Sequence, residues 1–197
     1  MFGRGPHLVV LGGPNGAGKS TAAPALLKGA LGVTEFVNAD AIALGLSAFA
    51  AERAGLAAGR VMLQRLRDLA LQRIDFAFES TLASRSFAPW IDDLRSTGYR
   101  FDLIFLWLPS PDEAVARVQE RVRSGGHDVP ADTIRRRYVS GLRNLFQLYL
   151  PVADTWQVFD SSLLSGPRRI ARGGRSKATS IRDPKIWEML TRAYNHA

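Results

Sequence analysis

The chain has no cysteine and only 3 histidines among its 197 residues. Without cysteine it can form neither a disulfide framework nor a thiolate metal site, and a reducing compartment is compatible with it. The sequence also lacks an HExxH motif, a Cys/His cluster and a nucleophile elbow. Metal-dependent hydrolysis and acyl transfer therefore lack the residues that they require.

Long apolar runs are missing too, since none approaches the length of a membrane span. The apolar run that begins at His7 leaves no room before it for a signal peptide, so a cytoplasmic location away from membranes is expected. A length of 197 residues with 46% hydrophobic content suits one domain over residues 1–197. No repeat, low-complexity tract or interdomain linker interrupts it.

Lysine is scarce, with 4 lysines against 22 arginines, and the 18 acidic residues leave a net charge of +8. Six of these eight charges lie in an acid-free segment, which we call the basic hairpin (about residues 166–182). A solvated surface, a site for nucleotide phosphates or an anionic substrate, and a nucleic-acid surface all suit it, with nucleic acid the least favoured. Its cations are Arg168, Arg169, Arg172, Arg175, Lys177 and Arg182.

The strongest motif is the phosphate-binding loop G-x-x-x-x-G-K-[ST], which follows the apolar run Leu8–Leu11 and precedes a helical pattern. Glycines let successive backbone N–H groups face the phosphates, and the next helix presents its positive end to them. Lys19 is expected to reach the β- and γ-phosphates of ATP, and the Ser20 hydroxyl to ligate Mg²⁺. The predicted ATP-binding residues are Gly13, Pro14, Asn15, Gly16, Ala17, Gly18, Lys19, Ser20 and Thr21.

Short apolar runs alternate with longer helical patterns along the chain, which predicts an α/β fold. We expect a P-loop nucleoside-kinase-like parallel sheet of about five strands flanked by helices, with an Arg-rich helical lid. The predicted strands are His7–Leu11, Glu35–Asn38, Phe76–Glu79, Phe101–Leu108 and Gln157–Asp160. The predicted helices are Lys19–Gly29, Phe49–Gln72, Phe87–Thr97, Pro111–Arg123, Ala131–Leu150 and Pro184–Asn195.

Polar side chains at two strand ends are candidates for the chemistry. Asp40 follows the second strand, where a carboxylate can accept the proton of an attacking hydroxyl; it can equally cap the next helix. Glu79 and Thr81 follow the third strand. Glu79 can hold a Mg²⁺-bound water or a substrate hydroxyl, and Thr81 can hydrogen-bond the substrate, whereas the structural alternative is a polar strand terminus that caps the next loop.

The third candidate region is the lid segment, Arg117–Tyr138, where two Arg-bearing helical patterns flank a turn that contains two glycines. A closing lid excludes water and its arginines neutralise charge on the transferred phosphoryl group. We select Arg121, with Arg135 or Arg136, for phosphate contact, while most other arginines here are solvated. His127 in the turn is a candidate for substrate contact or is an ordinary exposed histidine.

Together, GGPNGAGKST, VNAD, FEST and RVQERVRSGGHDVPADTIRRRY resemble the compact chromosomal branch of the zeta-toxin family of P-loop kinases. The similarity extends from about Leu8 to Asp160. Characterised zeta toxins phosphorylate the 3′-hydroxyl of UDP-N-acetylglucosamine, and an antitoxin restrains the plasmid-borne ones. This chain lacks the extended C-terminal region of those long toxins.

The resemblance implies that Lys19 and Ser20 bind ATP·Mg²⁺ and that Asp40 is the catalytic base. It also implies that Glu79 and Thr81 lie at the sugar-nucleotide site, that Arg121 with Arg135 or Arg136 reaches the phosphates, and that an antitoxin is a candidate partner. Two other functions stay open. One is a kinase of another sugar, antibiotic or nucleoside, and the other is a nucleotide-dependent module that binds RNA or DNA through the basic hairpin.

Overall fold

The computed structural model of the protein describes residues 5–47, 54–126, 128–163, 165–175 and 177–195. Its strands are β1 His7–Gly12, β2 Glu35–Val37, β3 Phe76–Ser80, β4 Arg100–Trp107, β5 Thr155–Asp160, β6 Arg168–Gly174 and β7 Lys177–Ile181. Its helices are α1 Lys19–Ala23, α2 Ala39–Leu46, α3 Gly55–Leu71, α4 Phe87–Ser96, α5 Pro111–Arg123, α6 Ala131–Asn144, α7 Leu150–Val152 and α8 Pro184–Tyr194.

The strands form one sheet in the order β2-β3-β1-β4-β5-β6-β7. The first five are parallel, and β6 and β7 add to the edge in antiparallel pairing. All residues of β1 and nearly all of β4 are buried, which explains their continuous apolar sequences, since helices cover both faces of a parallel sheet. The predicted fold class is confirmed, and the basic hairpin extends the five-stranded sheet to seven strands.

The helices depart from their predicted bounds at three places. The helix predicted over Ala131–Leu150 is α-helical only to Asn144, and Leu145–Tyr149 form π-type turns. Helix α2 was not predicted, and α3 begins at Gly55, within the single helix predicted from Phe49; residues 48–53 lie outside the described residues. The helix after the phosphate-binding loop widens into π-type turns over Pro24–Leu31. Proline has no N–H to donate to the preceding turn, which accounts for the change of helical pitch at Pro24.

One buried hydrophobic cluster joins the sheet to the helices on its faces. Phe76, Phe78 and Phe101 lie at its centre, and the stacked rings of Trp156 and Trp187 attach α8 to β5. Aromatic side chains of this size bury large apolar areas, so they fix the helices firmly against the sheet. Within the described ranges, no helix is both long and apolar enough to cross a bilayer.

Candidate active site

The loop between β1 and α1 has the backbone shape that a phosphate-binding loop requires. Gly13 has a φ of 146°, and a Cβ there would lie 2.4 Å from the Leu106 carbonyl oxygen. Gly18 has a φ of 78° and directly precedes α1. Only glycine adopts both conformations without strain, so the sequence pattern here is a steric requirement. Lys19, the first residue of α1, lines the adjoining cleft.

Lys19 is buried, and its Nζ donates a hydrogen bond to the Pro14 carbonyl at 2.9 Å. Nζ also lies 3.8 Å from Glu79 Oε1. Burial lowers the pKa of Lys19 and the cations of Arg121 and Arg137 add to that effect, although the carboxylates of Glu79 and Asp40 oppose it. Three cations and two carboxylates therefore act on one another around the phosphate-binding loop.

Ser20, Glu79 and Asn38 form a hydrogen-bonded group beside Lys19. The Ser20 hydroxyl donates to Glu79 Oε2 at 2.8 Å, and Asn38 Nδ2 donates to the same oxygen at 3.0 Å. The sheet register explains why Glu79 lies beside the phosphate-binding loop, because β1 and β3 are neighbours with Leu11 opposite Glu79. A hydroxyl and a carboxylate at this separation are hard oxygen donors that suit Mg²⁺, which keeps several waters and binds through few protein ligands.

Asp40 lies in the first turn of α2 but does not cap it. The Asn38 side chain is the cap, since its Oδ1 accepts from the backbone N–H groups of Asp40 at 2.7 Å and Ala41 at 3.2 Å. The Asp40 carboxylate is half exposed, with Oδ2 4.0 Å from Arg121 Nη1. Asn38, and not Asp40, is therefore the residue that caps α2.

These groups border a cleft of about 280 Å³. Asn15, Lys19, Asn38, Asp40 and Glu79 line one part of it, and the rest is lined mainly by Met62, Thr81, Ser84, Phe87 and Arg137. Asn15 Oδ1 is buried without a hydrogen-bond donor among the described residues. A buried acceptor of this kind carries an energetic cost until a donor reaches it, so it suits a bound ligand.

Helix α6 is fastened to the loop that follows β3. Gly141 packs against this loop, since a Cβ there would lie 2.3 Å from the Thr81 carbonyl oxygen. Asn144, which is buried, donates from Nδ2 to the Leu82 carbonyl at 2.8 Å, and Leu82 has a φ of 57°. A positive φ in a bulky residue is strained, so surrounding contacts must hold it. The Asn144 bond is one of those contacts.

The arginines of the lid segment go to different places. Arg137 lines the cleft, whereas Arg135 pairs with Asp112 at 2.9 Å and Arg136 is exposed. Arg117 donates to the backbone carbonyls of Ser161 at 2.8 Å and Ser162 at 3.0 Å, which fastens α5 to the end of β5. Arg121 and Arg137 are thus the arginines of this segment that the geometry brings to Lys19, while Arg135 and Arg136 are not brought there.

The turn of the lid segment is described except for His127, which lies outside the described residues. Gly125 has a φ of 83°, and the Gly126 N–H donates to the Arg121 carbonyl at 2.9 Å. The turn is therefore hydrogen-bonded directly to the backbone of Arg121 in the last turn of α5. Thr81 lines the cleft, and its hydroxyl accepts weakly from the Ala83 N–H at 3.4 Å.

Two residues of this site were missed by sequence reasoning. Asn38 precedes a run of helix formers, which is the signal of a helix cap, but α2 itself was not predicted. Arg137 follows Arg135 and Arg136 directly, and three adjacent arginines on a helix point in three directions. The buried positions Ile134 and Tyr138 fix the orientation of α6, and only the packed structure shows which arginine then faces the cleft.

Part of the basic hairpin is neutralised within the protein. Arg168 pairs with Asp183 at 3.0 Å, and Arg175 lies 3.8 Å from Asp154. Arg169, Arg172 and Arg182 instead influence one another, since burial and then the charges of Arg182 and Arg172 lower the pKa of Arg169. The remaining positive charge of the hairpin is therefore carried by these three arginines and Lys177.

The sequence profile of the family described as AAA domain matches residues 8–138. The chain belongs to this AAA domain family. This AAA domain chain is 29% identical over 126 residues to an uncharacterized protein of Haemophilus influenzae. That match covers 64% of the chain and 88% of the Haemophilus protein.

Solved structures share the fold of this AAA domain chain at low identity. Over 99% of its length the chain is similar to AvrRxo1-ORF1:-ORF2 with ATP, with a TM-score of 0.77 and 16% identity, and it spans only 65% of that chain. The PezAT chromosomal toxin-antitoxin system of Streptococcus pneumoniae gives 0.63 at 16% identity, covering 100% of this chain and 81% of that chain. A gluconokinase of Sinorhizobium meliloti gives 0.52 at 18% identity, covering 82% and 86%. The expected resemblance is confirmed at the level of a P-loop kinase fold.

Proposed function

We propose that the protein is an ATP-dependent kinase that transfers the γ-phosphoryl group to a hydroxyl of a small molecule. One observation carries this proposal: Lys19 and Arg137 line a single cleft with Asp40 and Glu79 beside the phosphate-binding loop, and Arg121 lies 4.0 Å from Asp40. Phosphoryl transfer depends on positioning and on neutralising the charge of the transferred group, and this arrangement supplies both.

On the donor side, Lys19 exchanges its bond to the Pro14 carbonyl for the β- and γ-phosphates. Its lowered pKa reflects burial without a full counter-charge, which a triphosphate supplies. The Ser20 hydroxyl and the Glu79 carboxylate would hold Mg²⁺, directly or through a water. When bound, the ion would neutralise negative charge that develops on the phosphates.

On the acceptor side, Asp40 takes the proton of the attacking hydroxyl. The acceptor oxygen forms a bond to the γ-phosphorus while the bond from that phosphorus to the bridging oxygen breaks, and ADP carries away the electron pair. Arg121, 4.0 Å from Asp40, stabilises the group in transit together with Arg137. Thr81 and Ser84 offer hydroxyls to the acceptor within the same cleft.

The turn is the part of the lid segment that moves when the segment closes. The C-terminal half of α6 is held by Asn144 and Gly141 against the loop after β3, so this half moves little. The glycines at the turn permit larger backbone excursions, which a hinge needs. A tip that closes over bound substrates excludes water and favours transfer to an alcohol over hydrolysis.

UDP-N-acetylglucosamine is the acceptor that we favour, on the sequence motifs shared with zeta toxins. Another sugar, an antibiotic or a nucleoside is the alternative, and the fold shared with a gluconokinase supports a kinase of that breadth. An antitoxin is our proposed partner, since two structures with this fold are described as AvrRxo1-ORF1:-ORF2 and as a toxin-antitoxin system.

The decisive experiment incubates the purified protein with ATP, Mg²⁺ and a panel of nucleotide sugars, sugars, nucleosides and antibiotics. Mass spectrometry then identifies any product that has gained a phosphoryl group. Lys19→Ala is the negative control, because it removes the cation at the β- and γ-phosphates, and its thermal unfolding shows that the fold persists. Equal product formation by the folded Lys19→Ala variant contradicts the proposal.

A further inference from the structure

Helix α3 carries an exposed stripe of leucine and arginine on the side away from the core. The helix buries Ala58, Met62, Leu66 and Leu69, which repeat at helical spacing on its inner face. The residues of the outer stripe recur every three or four positions on nearly the opposite face, and all are exposed. They are Leu56, Arg60, Leu63, Arg67 and Leu71.

This stripe is unusual because of how much apolar surface it exposes. Leu56 is 87% exposed and Leu71 is 83% exposed. Single exposed leucines are ordinary, but here three leucines recur along one helical face with only arginines between them. The stripe therefore combines exposed apolar and cationic side chains, which is the character of a surface that another molecule covers.

A groove between α3 and α4 runs beside the stripe. It consists of two adjoining hollows of about 180 and 470 Å³, which share Arg67 and Trp90 as lining residues. Leu63, Leu71 and Leu94 form apolar parts of its walls. Large side chains projecting from a straight helix fill paired hollows of this kind, as in helix-in-groove recognition.

The groove is positively charged. Arg67 and Arg73 line it, and no carboxylate lines either hollow among the residues that the structure describes. Arg60 and Arg67 form no ion pair with a described residue. A second copy of the same face would place arginine against arginine, whereas an acidic partner is attracted to it. The concave shape also favours a projecting helix over a flat lipid surface.

We propose that the groove between α3 and α4, with the stripe of α3, is a docking site for an amphipathic helix of a partner protein. That helix presents apolar side chains at i, i+3 or i+4, and i+7 to the leucines and Trp90, with carboxylates beside them for Arg60 and Arg67. Tryptophan and arginine are the residue types that dominate binding energy at such interfaces.

The groove also has a physical link to the active-site cleft. Phe87 lines both the groove and the cleft, so one residue borders both proposed binding sites. A helix that displaces Phe87 changes the acceptor end of the cleft. This coupling rests on the proposed kinase function, but docking itself does not, and the two are measured separately.

A yeast-displayed library of acidic, neutral and basic amphipathic helices tests the docking site without ATP. Helices of about 18 residues suffice, since the stripe from Leu56 to Leu71 is about 24 Å long. We expect the full-length protein to enrich acidic members with apolar spacing i, i+3 or i+4, i+7. Their binding is expected to weaken at least about tenfold for Arg67→Glu and for Leu71→Ser, which are exposed changes that spare the core.

The matched control is the double variant Met189→Ser, Arg192→Glu, which changes an exposed apolar residue and a nearby arginine on α8. It should bind the enriched helices as the parent protein does. If the enriched helices bind the Arg67→Glu and Leu71→Ser variants as tightly as the parent protein, the proposal is overturned. Two further results also overturn it: sedimentation showing a dimer that Leu71→Ser dissociates, or binding to phosphatidylglycerol vesicles that Arg67→Glu abolishes.

Discussion

The sequence alone allows Asp40 to be a helix cap, a catalytic base or both, and the structure assigns the cap to Asn38 instead. Its side-chain oxygen caps α2, and its amide nitrogen holds Glu79 beside Ser20. Asp40 is thereby left with a carboxylate that faces Arg121 and has no capping duty. At the scale of single residues, the site divides cleanly into positioning groups and a candidate base.

Asp40→Asn keeps the size and polarity of the side chain but cannot accept a proton. We expect turnover to fall by about 10²-fold or more, which is the scale of general-base catalysis, with little change in ATP affinity. Asn38→Ala differs, because it removes a helix cap at a cost of about 1 kcal/mol in unfolding free energy.

Steady-state kinetics, nucleotide titration and urea unfolding distinguish these two variants. Asp93→Asn, an exposed change on α4, is the matched control and should leave all three measurements unchanged. A loss of ATP binding by Asp40→Asn with unimpaired turnover at saturating ATP contradicts the assignment of Asp40 as base.

At the scale of elements, the packing of α6 determines which arginine serves the site. Ile134 and Tyr138 are buried against the core, and Gly141 and Asn144 meet the loop after β3. With the helix fixed in this orientation, Arg137 faces the cleft. The same helix therefore holds both the loop after β3 and the arginine that we propose for the transferred phosphoryl group.

Arg137→Ala and Arg135→Ala form a matched pair on one helix. We expect Arg137→Ala to lower turnover on the order of 10²-fold, the scale seen when one group that stabilises transition-state charge is removed. Arg135→Ala loses an exposed ion pair with Asp112, which contributes about 1 kcal/mol or less to stability, and should retain parental turnover. Steady-state kinetics of both purified variants test this assignment. A larger loss of turnover in Arg135→Ala than in Arg137→Ala contradicts it.

Near the start of the central strand β4, at the end of the sheet opposite the site, Asp102 makes the folded state sensitive to acid. It accepts from His7 Nε2 at 2.8 Å, from Thr155 Oγ1 at 2.8 Å and from Arg100 Nη2 at 3.0 Å. Burial raises the pKa of Asp102, but the bonds from His7 and Thr155 and the charges of His7 and Arg100 outweigh it and hold this pKa below its usual range. The ionised carboxylate is therefore favoured by folding.

Stability from Asp102 is fully present above the ordinary aspartate pKa and is lost as the pH falls through the lowered folded-state value. We expect the urea midpoint of the parent protein to drop between about pH 5 and pH 2, and the Asp102→Asn variant, less stable at neutral pH, to lose less over that range. Asp93→Asn is the control and should follow the parent. An identical pH dependence in Asp102→Asn and the parent contradicts this role.

For the whole molecule, the uneven distribution of charge bears on the choice between a kinase and a nucleic-acid-binding module. Arg169, Arg172 and Arg182 carry most of the uncompensated charge of the basic hairpin at the sheet edge formed by β6 and β7. Nucleic-acid binding releases counterions and weakens steeply as salt rises, whereas turnover of a small substrate responds far less.

We expect turnover to change little over about 50 to 200 mM salt and to survive replacement of all three arginines by glutamine. Turnover assays and fluorescence anisotropy with labelled single-stranded RNA measure the two activities side by side. Tight, salt-sensitive RNA binding that the triple variant loses, without phosphoryl transfer to any acceptor, contradicts the kinase proposal.

The P-loop kinase fold was accessible from the sequence because its signals are local. The glycines around Lys19 are required by backbone sterics, and the buried parallel strands are continuous apolar runs, so both are visible in a few consecutive residues. Helix α2 was not predicted, although Asn38 is a typical N-cap residue at its start. The strands β6 and β7 appeared only as a basic hairpin, since their pairing with β5 depends on a distant strand.

The sequence by itself determined the phosphate-binding loop, the order of the parallel strands along the chain, and the residue types at their ends. Only the tertiary structure decided that Glu79 joins Ser20, that Asn38 caps α2, that Arg137 faces the cleft and that α3 exposes a leucine stripe beside a groove. The physical reason is that side-chain direction depends on how each element packs, and packing is set by residues far apart in the chain.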